Sequence, residues 1–383
     1  DSTLAQALFV EGLLDEISRY DVIAVEVDVD PSAHPGSRMP ITVSATLSDG
    51  LVVRTTGLLI AQDITVPSGW IQGDTHVHTD LADPSAFLDN DDITSLAESY
   101  GHDFTYITDH LDRIRSCEDL DADPALRWSK WRERCLDESS GSYTQCAGIE
   151  VTAVNGTGDA LGYGMPVIDP TQIQNRQHSC SALIDLLNGS ESGASAYIAH
   201  PAGPPLDWDD PNVAYYGVQA VAYGETFWKN GINSGHRSAA TGGSDAHIGW
   251  FFIGQATWLY APTWATQSTW ESKMAAIDAC LKSGKVSATT DGSFGYFCIG
   301  SNYPGSSMTA STGSTIYYSL DARSLDNGYD VQITWDLYRD NDSNRVDGGT
   351  TSVLESGSML QYSGLSTTVV SGKHGYYLKI RFD

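Results

Sequence analysis

The chain has few basic residues for its size. Only 21 Lys and Arg stand against 49 Asp and Glu in 383 residues, which gives a formal net charge of −28. Because nucleic acids and anionic membranes are bound through basic surface, this balance argues against both as sequence-independent partners. An anionic ligand must therefore meet a local source of positive charge, such as a metal ion.

Long apolar runs and paired cysteines are also lacking. No apolar segment reaches the roughly 18 to 20 residues that span a bilayer, and no basic, apolar leader is visible at Asp1. The six cysteines form no C-x-x-C pair, which argues against a zinc ribbon and favours disulfides. We expect Cys280, near a helix end, and Cys298, in the next apolar strand, to form one.

The cysteine number also bears on the location of the protein. An even number of cysteines, a charged content of 18% and abundant Ser, Thr and Gly occur together. This combination predicts a secreted or periplasmic protein whose leader has been removed. A cytosolic enzyme with free, buried thiols is the alternative.

Three patterns follow one another along the chain. Residues 1–69 combine helical spacing over 4–20 with alternating strands. In residues 70–300, short strands such as "FTYITDH" and "SAYIAHP" alternate with helices such as "DITSLAESYG" and "WESKMAAIDACLKSGK", which favours an α/β layer or barrel. Residues 301–383 predict a small β-sandwich. We interpret residues 112–146, with three cysteines and two tryptophans, as an insertion at the rim of a site.

Histidines and acidic residues recur at the ends of the predicted strands. Because side chains alternate along a strand, His76 and His78 in "GDTHVHTDLAD" point to one face, and Asp245 and His247 in "GGSDAH" repeat the spacing. The other strand ends carry Asp109, His110, Glu150 and His200. A lone H-x-H is equally well explained as structural, and a lone His beside Pro, such as His200, is more often a structural residue than a ligand. Several such clusters at strand ends, where α/β folds place their chemistry, predict a metal site.

The donor types indicate which metals suit such a site. Neutral imidazoles mixed with carboxylates suit zinc, manganese or iron, whereas oxygen ligands alone would suggest calcium or magnesium. Divalent ions held in this way would lower the pKa of a water and polarise a phosphoryl or carbonyl oxygen, so the pattern predicts hydrolysis.

The ordered motifs resemble the PHP (polymerase and histidinol phosphatase) family of metal-dependent hydrolases. Within that family they are similar to the exported branch related to carbaryl hydrolase, called CehA/McbA-like. The resemblance covers residues 70 to about 300 and rests on "GDTHVHTDLAD", with an Asp seven residues after the first His, and on "GHDFTYITDH", "GIEVT", "IAHP" and "TGGSDAH". It implies a distorted (β/α)7-type barrel, flanked by the N-terminal β-rich segment and the C-terminal sandwich.

The resemblance also implies a ligand set for each ion. The implied ligands are His76, His78, Glu150 and Asp245 for one ion, Asp83, His110 and His247 for another, and Glu150 with His200 for a third. Thr157 stands where the exported branch has a further His for the third ion. Two ions are therefore as consistent with the sequence as three, unless Asp159 or water replaces that imidazole.

Activity and the remaining candidates follow from the same resemblance. It implies a secreted phosphoesterase acting on a phosphomonoester or phosphodiester, with a small-molecule or glycan-linked ester as substrate. A carboxyl-ester or carbamate hydrolase, and a catalytically weakened glycan- or surface-binding protein, are the alternatives. Asp109 is adjacent to His110 and points away from it, which suits a residue that supports a ligand. His102 and His236 are candidates for proton transfer, with ordinary surface residues as the alternative.

Overall fold

The strand that carries "GDTHV" lies at the centre of a sheet in the computed structural model of the chain. The structure describes residues 38–46, 52–60, 66–81, 86–154, 158–164, 173, 176–189, 194–201, 215–221, 224–236, 238–247, 255–290, 292–324, 330–355, 359–372 and 374–383. The helix predicted over 4–20 lies outside these residues, as do Asp83 and Thr157.

Helices and strands alternate through the middle of the chain, as predicted. The strands are β1 (Arg38–Thr46), β2 (Val52–Ile60), β3 (Trp70–Val77), β4 (Phe104–Ile107), β5 (Thr144–Ala147), β6 (Ile149–Thr152), β7 (Asp159–Tyr163), β8 (Ser195–Ile198), β9 (Gly217–Gln219), β10 (Ala239–Thr241), β11 (Ala256–Tyr260), β12 (Val286–Thr289), β13 (Phe294–Ile299), β14 (Thr315–Arg323), β15 (Ile333–Arg339), β16 (Asn341–Thr350), β17 (Met359–Thr368) and β18 (Tyr376–Phe382). The α-helices are α1 (Asn90–Ser99), α2 (Leu111–Ser116), α3 (Pro124–Asp137), α4 (Cys180–Asn188), α5 (Glu225–Asn233) and α6 (Trp270–Lys282).

Local sequence explains where two of the predicted helices begin and end. Asp89 caps α1 and Thr269 caps α6, each in a reciprocal capping box with the third residue of its helix. Gly284, with φ +69°, follows α6 in the left-handed conformation that glycine adopts without steric cost. The helices therefore start and stop where their side chains satisfy the terminal backbone groups.

Two five-stranded sheets form the α/β unit. The first has the order β12-β11-β3-β4-β5, and the second has the order β10-β9-β8-β7-β6. The two sheets meet at isolated bridges, one between Val77 at the end of β3 and Ala246, and one between His110 and Glu150. Hydrogen bonds accompany both bridges, from His78 N to Ala246 O at 2.9 Å and from Glu150 N to Asp109 O at 3.2 Å.

The sheets differ from the closed (β/α)7-type barrel that the resemblance implies. The described strands form two open sheets, and β6–β7, β7–β8 and both partners of β11 pair antiparallel. For β6 and β7 the reason is the short connection over 153–158, because parallel neighbours need a crossover of a dozen or more residues. The coarser expectation, a mixed α/β fold, is confirmed.

Residues 112–143 lie in the connection between β4 and β5, and residues 144–146 belong to β5; that residues 112–146 form an insertion at the rim of a site remains a prediction. The helices α2 and α3 join β4 to β5, and these two strands pair in parallel within the first sheet. Trp128 and Trp131 of α3 are buried in the core of the α/β unit. The segment therefore completes the sheet, as any βαβ unit does.

The terminal segments are built from antiparallel strands. At the N-terminal side β1 pairs with β2, from Arg38 opposite Ile60 to Thr46 opposite Val52. At the C-terminal side, the sheets β13-β14-β17 and β16-β15-β18 contribute side chains to one apolar cluster. The pairing of β13 with β14 places Phe294–Ile299 with these sheets, ahead of the boundary predicted at residue 301. The domain boundaries themselves remain predictions.

The predicted disulfide between Cys280 and Cys298 is wrong. All six cysteines lie within the described residues, and each is a free thiol. Cys280 donates through Sγ to the carbonyl oxygen of Tyr260 at 3.1 Å, and Cys298 is buried in β13. An even number of cysteines fixes no distance between any two of them, and disulfide geometry needs Cα atoms within about 7 Å.

None of the helices in the described ranges is both long enough and apolar enough to cross a bilayer.

Candidate metal centre

The carboxyl ends of strands from both sheets bring predicted ligands together. His76 and His78 come from the end of β3, and Asp245 follows β10. Glu150 of β6 approaches them across the bridge between the sheets. Position at the strand ends, where open α/β sheets bind their ligands, is what the sequence predicted.

Four of the side chains surround one point. His76 Nε2 and His78 Nε2 lie 3.0 Å apart, and the distances from these nitrogens to Glu150 Oε2 are 3.5 and 3.2 Å. Their distances to Asp245 Oδ1 are 3.3 and 3.2 Å. Two ligands at about 2.0–2.1 Å from a tetrahedral ion lie about 3.3–3.4 Å apart. The spacing and donor types of this set therefore fit a divalent ion such as zinc.

A second group of ligand atoms overlaps the first. His78, Asp245 and His247 offer donor atoms within 4.8 Å of one another, and His247 Nδ1 lies 3.8 Å from Asp245 Oδ1. His110 Nδ1 lies 3.5 Å from Glu150 Oε2 on the other side of His78. Asp83, which the resemblance assigns to this ion, lies outside the described residues.

A third group lies on the opposite side of Glu150. Glu150, Asp159 and His200 again offer donor atoms within 4.8 Å of one another, and His200 Nε2 lies 3.0 Å from Glu150 Oε1. Glu150 therefore contributes one oxygen towards His76 and His78 and the other towards His200. A carboxylate that faces two groups in this way is suited to bridge two ions.

Gln219 supports His76, and the sequence analysis did not identify it. Its Nε2 donates to the carbonyl oxygen of Gly243 at 2.6 Å, which leaves Oε1 to accept from His76 Nδ1 at 2.9 Å and from His200 N at 3.1 Å. Because Oε1 can only accept, the His76 proton lies on Nδ1, and the Nε2 lone pair faces the cluster. The feature that could have indicated this role is an amide side chain, fully buried in the structure, within the apolar strand β9.

Glycine at position 243 is required beside His76. A Cβ atom at this position would lie 2.7 Å from the His76 Cβ, closer than side chains pack. The first glycines of "GGSDAH" therefore let β10 approach β3, which brings Asp245 to the histidines. Asp245 itself has φ +55°, and His200 has φ +20°. Left-handed backbone at non-glycine residues concentrates at functional sites.

Asp109 supports the cluster from behind. Its carboxylate accepts from Thr79 N at 2.7 Å, Thr79 Oγ1 at 2.6 Å and Trp131 Nε1 at 3.2 Å. Asp109 Oδ1 lies 3.8 Å from His78 Nδ1, whereas the other ring nitrogen, Nε2, is the one close to Glu150 and Asp245. These contacts agree with the supporting role given to Asp109, which remains a prediction.

The electrostatics of the cluster suit cation binding. Burial lowers the pKa of His78, but hydrogen bonds and charges of Asp245 and Glu150 outweigh it and hold the pKa well above its usual value. Burial raises the pKa of Glu150, yet the surrounding histidines, His76 foremost, hold it well below its usual range. The His200 pKa is raised to about 9 against the effect of burial, chiefly by Glu150. Metal ions that bind here must therefore displace protons.

Two of the candidates lie away from the cluster. His102 precedes β4 and is buried, and His110, a predicted ligand, follows the other end of that strand. His236 precedes β10, and its ring stacks on Tyr215 at 5.5 Å. The structure thus places both at the amino ends of strands whose carboxyl ends approach the cluster.

Comparison of the chain with known proteins finds weak similarity. No protein-family model matches the chain, and neither does any curated protein. Among solved structures, a two-domain protein from Bacteroides vulgatus, described as containing a predicted PHP-like metal-dependent phosphoesterase, is 13% identical, with a TM-score of 0.47. This similarity covers 80% of this chain and 90% of that one. PsfC from Pseudomonas syringae is 15% identical over 57% of this chain and 91% of that one, with a TM-score of 0.40.

Proposed function

We propose that the chain is a metal-dependent hydrolase of phosphoesters. The observation that carries this proposal is the overlap of three ligand groups, in which His78 and Glu150 each belong to two. Shared ligands favour ions a few ångströms apart, the arrangement used in hydrolytic centres with several metals. Ions bound in this arrangement would polarise the ester and lower the pKa of a water.

The residues of the chain have separable tasks in this proposal. His76, His78 and Glu150 form a buried floor, whereas His110, His200, Asp245 and His247 are each partly exposed. The ester therefore approaches from the exposed side. Gln219 keeps a proton on His76 Nδ1, and the floor excludes bulk water from the ligand atoms.

The mixed donor set supports zinc, manganese or iron as the metal. Phosphoesters are the proposed substrate class. They are anionic, and to bind a protein of net charge −28 they need local positive charge, which such ions would provide. Export also remains our proposal, and the free thiols of all six cysteines remove disulfides as a reason for it. Low charged content still supports it.

The test compares metal content and hydrolysis in matched histidine variants. Protein purified without added metal is analysed for bound ions and then assayed with zinc, manganese or iron on p-nitrophenyl phosphate, bis(p-nitrophenyl) phosphate and p-nitrophenyl acetate. His78→Gln removes a ligand shared by two groups, so we expect it to lower ion content and to reduce hydrolysis by about 100-fold or more. His374→Gln, in a partly buried histidine that precedes β18 and has no proposed role in the centre, is the control and should change neither by more than about 3-fold.

Three outcomes separate the candidates. Hydrolysis of the acetate alone would favour the carboxyl-ester alternative. Metal-loaded protein that hydrolyses none of the three esters would refute catalysis and favour the binding protein. Ion content that does not change in His78→Gln would contradict the metal centre.

A further inference from the structure

Asp159 is held between the strands that carry Glu150 and His200. It is the first residue of β7 and pairs with Thr152 of β6, two residues beyond Glu150. Its carbonyl oxygen accepts from Ala199 N at 3.1 Å, immediately before His200. Backbone pairing on both sides therefore fixes the Asp159 side chain next to the third ligand group.

The Asp159 carboxylate lies within reach of an ion shared with His200 and Glu150. Asp159 Oδ2 is 3.8 Å from His200 Nε2, a separation that two ligands of one ion can adopt when the angle between them exceeds the tetrahedral value. Its side chain is 21% exposed and that of His200 is 29% exposed, against 2% for Glu150. Asp159 and His200 thus face the solvent from which a substrate arrives.

The carboxylates in and beside this group have histidines as their ion-pair partners. Within the described ranges, the ion pairs of Glu150, Asp159 and Asp245 all run to histidines, and none runs to Lys or Arg. Metal ions would therefore be the main positive charge in the centre. A carboxylate ligand lowers the net charge of the centre by one unit relative to an imidazole, whatever the number of ions.

We infer, building on the proposed hydrolase function, that Asp159 is a metal ligand and that its charge makes the centre selective for singly charged phosphodiesters over doubly charged phosphomonoesters. In this reaction the oxygen of water bonds to phosphorus and the P–O bond to one alcohol breaks. One water proton goes to the released alcohol and the other to solvent. The product is a phosphomonoester, which carries the second negative charge that Asp159 disfavours, so the reaction stops there and the product leaves.

Two neutral substitutions at Asp159 test the inference. Asp159→His keeps a ligand and removes the charge, whereas Asp159→Asn is nearly isosteric and keeps only a weak ligand. Asp112→Asn is the control, because Asp112 is an exposed acidic residue two positions after His110. Each protein is first analysed for bound ions per chain and for its unfolding midpoint. Without added metal, Asp159→His should keep the ion count of the unmodified protein, and Asp159→Asn should lose about one ion per chain.

Binding and turnover then report the charge effect separately. Affinity for inorganic phosphate is measured by calorimetry on the metal-loaded proteins, and kcat/KM is measured on bis(p-nitrophenyl) phosphate and p-nitrophenyl phosphate. One unit of charge near the phosphoryl group should shift the diester-to-monoester ratio by about 10-fold to 100-fold towards the monoester in Asp159→His, and should tighten phosphate binding by about 10-fold. Asp112→Asn should stay within about 3-fold of the unmodified protein.

The results distinguish this inference from the function on which it rests. If the unmodified protein prefers the monoester, or if Asp159→His leaves the ratio and the phosphate affinity unchanged, the selectivity is refuted while hydrolysis stands. If Asp159→Asn keeps every ion, Asp159 is not a ligand. If the loaded protein hydrolyses neither phosphoester, the proposed function fails. Should Asp159→His not fold, Asp159→Asn still decides the matter when enough metal is added to restore the ion count of the unmodified protein, because it then differs only by the removed charge and must shift the ratio towards the monoester.

Discussion

Gln219 contacts none of the atoms that would bind the metal. Substitution of Gln219 by Met tests whether this residue nevertheless helps to set the metal affinity of the centre. Met preserves the length of the side chain and removes all three hydrogen bonds, those from His76 Nδ1 and His200 N and that to Gly243 O. His76 is then free to carry its proton on Nε2, where it cannot bind an ion. Loss of such an outer hydrogen bond costs 10-fold to 100-fold in metal affinity, or about 1.4–2.7 kcal/mol.

The same substitution also lowers the stability of the ion-free protein. His76 is completely buried, so its Nδ1–H loses a partner without gaining water, and the Gly243 carbonyl loses its donor. Each stranded buried group costs about 1–3 kcal/mol, which predicts a loss of about 2–6 kcal/mol in the free energy of unfolding. Stability and affinity must therefore be measured separately.

Gln145 provides the matched control. It is also completely buried and also makes three side-chain hydrogen bonds, with Asn90 Nδ2 at 2.6 Å, Asn90 O at 3.0 Å and Thr94 Oγ1 at 3.1 Å. Gln145→Met should lower stability by a similar amount and leave metal affinity unchanged. Affinity is measured by competition with a chelator on protein still folded in urea-free buffer. Equal affinities in the two variants would refute the role given to Gln219.

Three further predictions concern stability. Burial lowers the pKa of His102 to about 4, so the unfolded chain binds its proton more readily. Stability should therefore fall as the pH falls from about 6.5 towards 4, by about 2–3 kcal/mol at pH 4.5, and His102→Leu should flatten this dependence in urea titrations at several pH values. Trp131→Phe removes a hydrogen bond to the buried Asp109 carboxylate and should cost about 1–3 kcal/mol more than Trp335→Phe, because the Trp335 indole N–H has no hydrogen-bond partner among the described residues; an equal loss would contradict this. A divalent ion at 100 times its Kd should raise the free energy of unfolding by about 2.7 kcal/mol per site, reversibly with a chelator, and an unchanged melting temperature would argue against binding to the folded state.

Local sequence patterns predicted which histidines lie together because those patterns reflect local geometry, whereas their role as ligands remains a prediction. The alternation of side chains along a strand places His76 and His78 on one face, and the structure brings their Nε2 atoms to 3.0 Å. The helices α1 and α6 were likewise predictable, since their caps lie within three residues of their first turn.

Residues whose roles depend on distant pairing were less predictable. Gln219 reaches His76 across 143 positions of sequence, and nothing near "GVQAV" indicates that contact. The sequence offered Asp159 only as a substitute for a missing histidine, because its proximity to His200 depends on how β7 pairs with β8. The disulfide failed for the same reason: β12 lies between α6, which contains Cys280, and β13, which contains Cys298, and closeness in sequence does not fix the distance between the two thiols.

The position of the cluster between two open sheets links metal binding to folding. His76, His78 and His110 belong to the first sheet or follow its strands, whereas Glu150 and Asp245 come from the second. Isolated bridges and backbone hydrogen bonds, such as that from Asp245 N to His76 O at 2.8 Å, join the sheets beside the cluster, and carboxylates of the second sheet face histidines of the first there. Ions bound between them would act as cross-links between the sheets and would stabilise the folded state by their binding free energy. Amides that flank the two bridges, such as those of His78 and Glu150, should therefore gain more protection from hydrogen exchange on metal binding than amides of the C-terminal sheets.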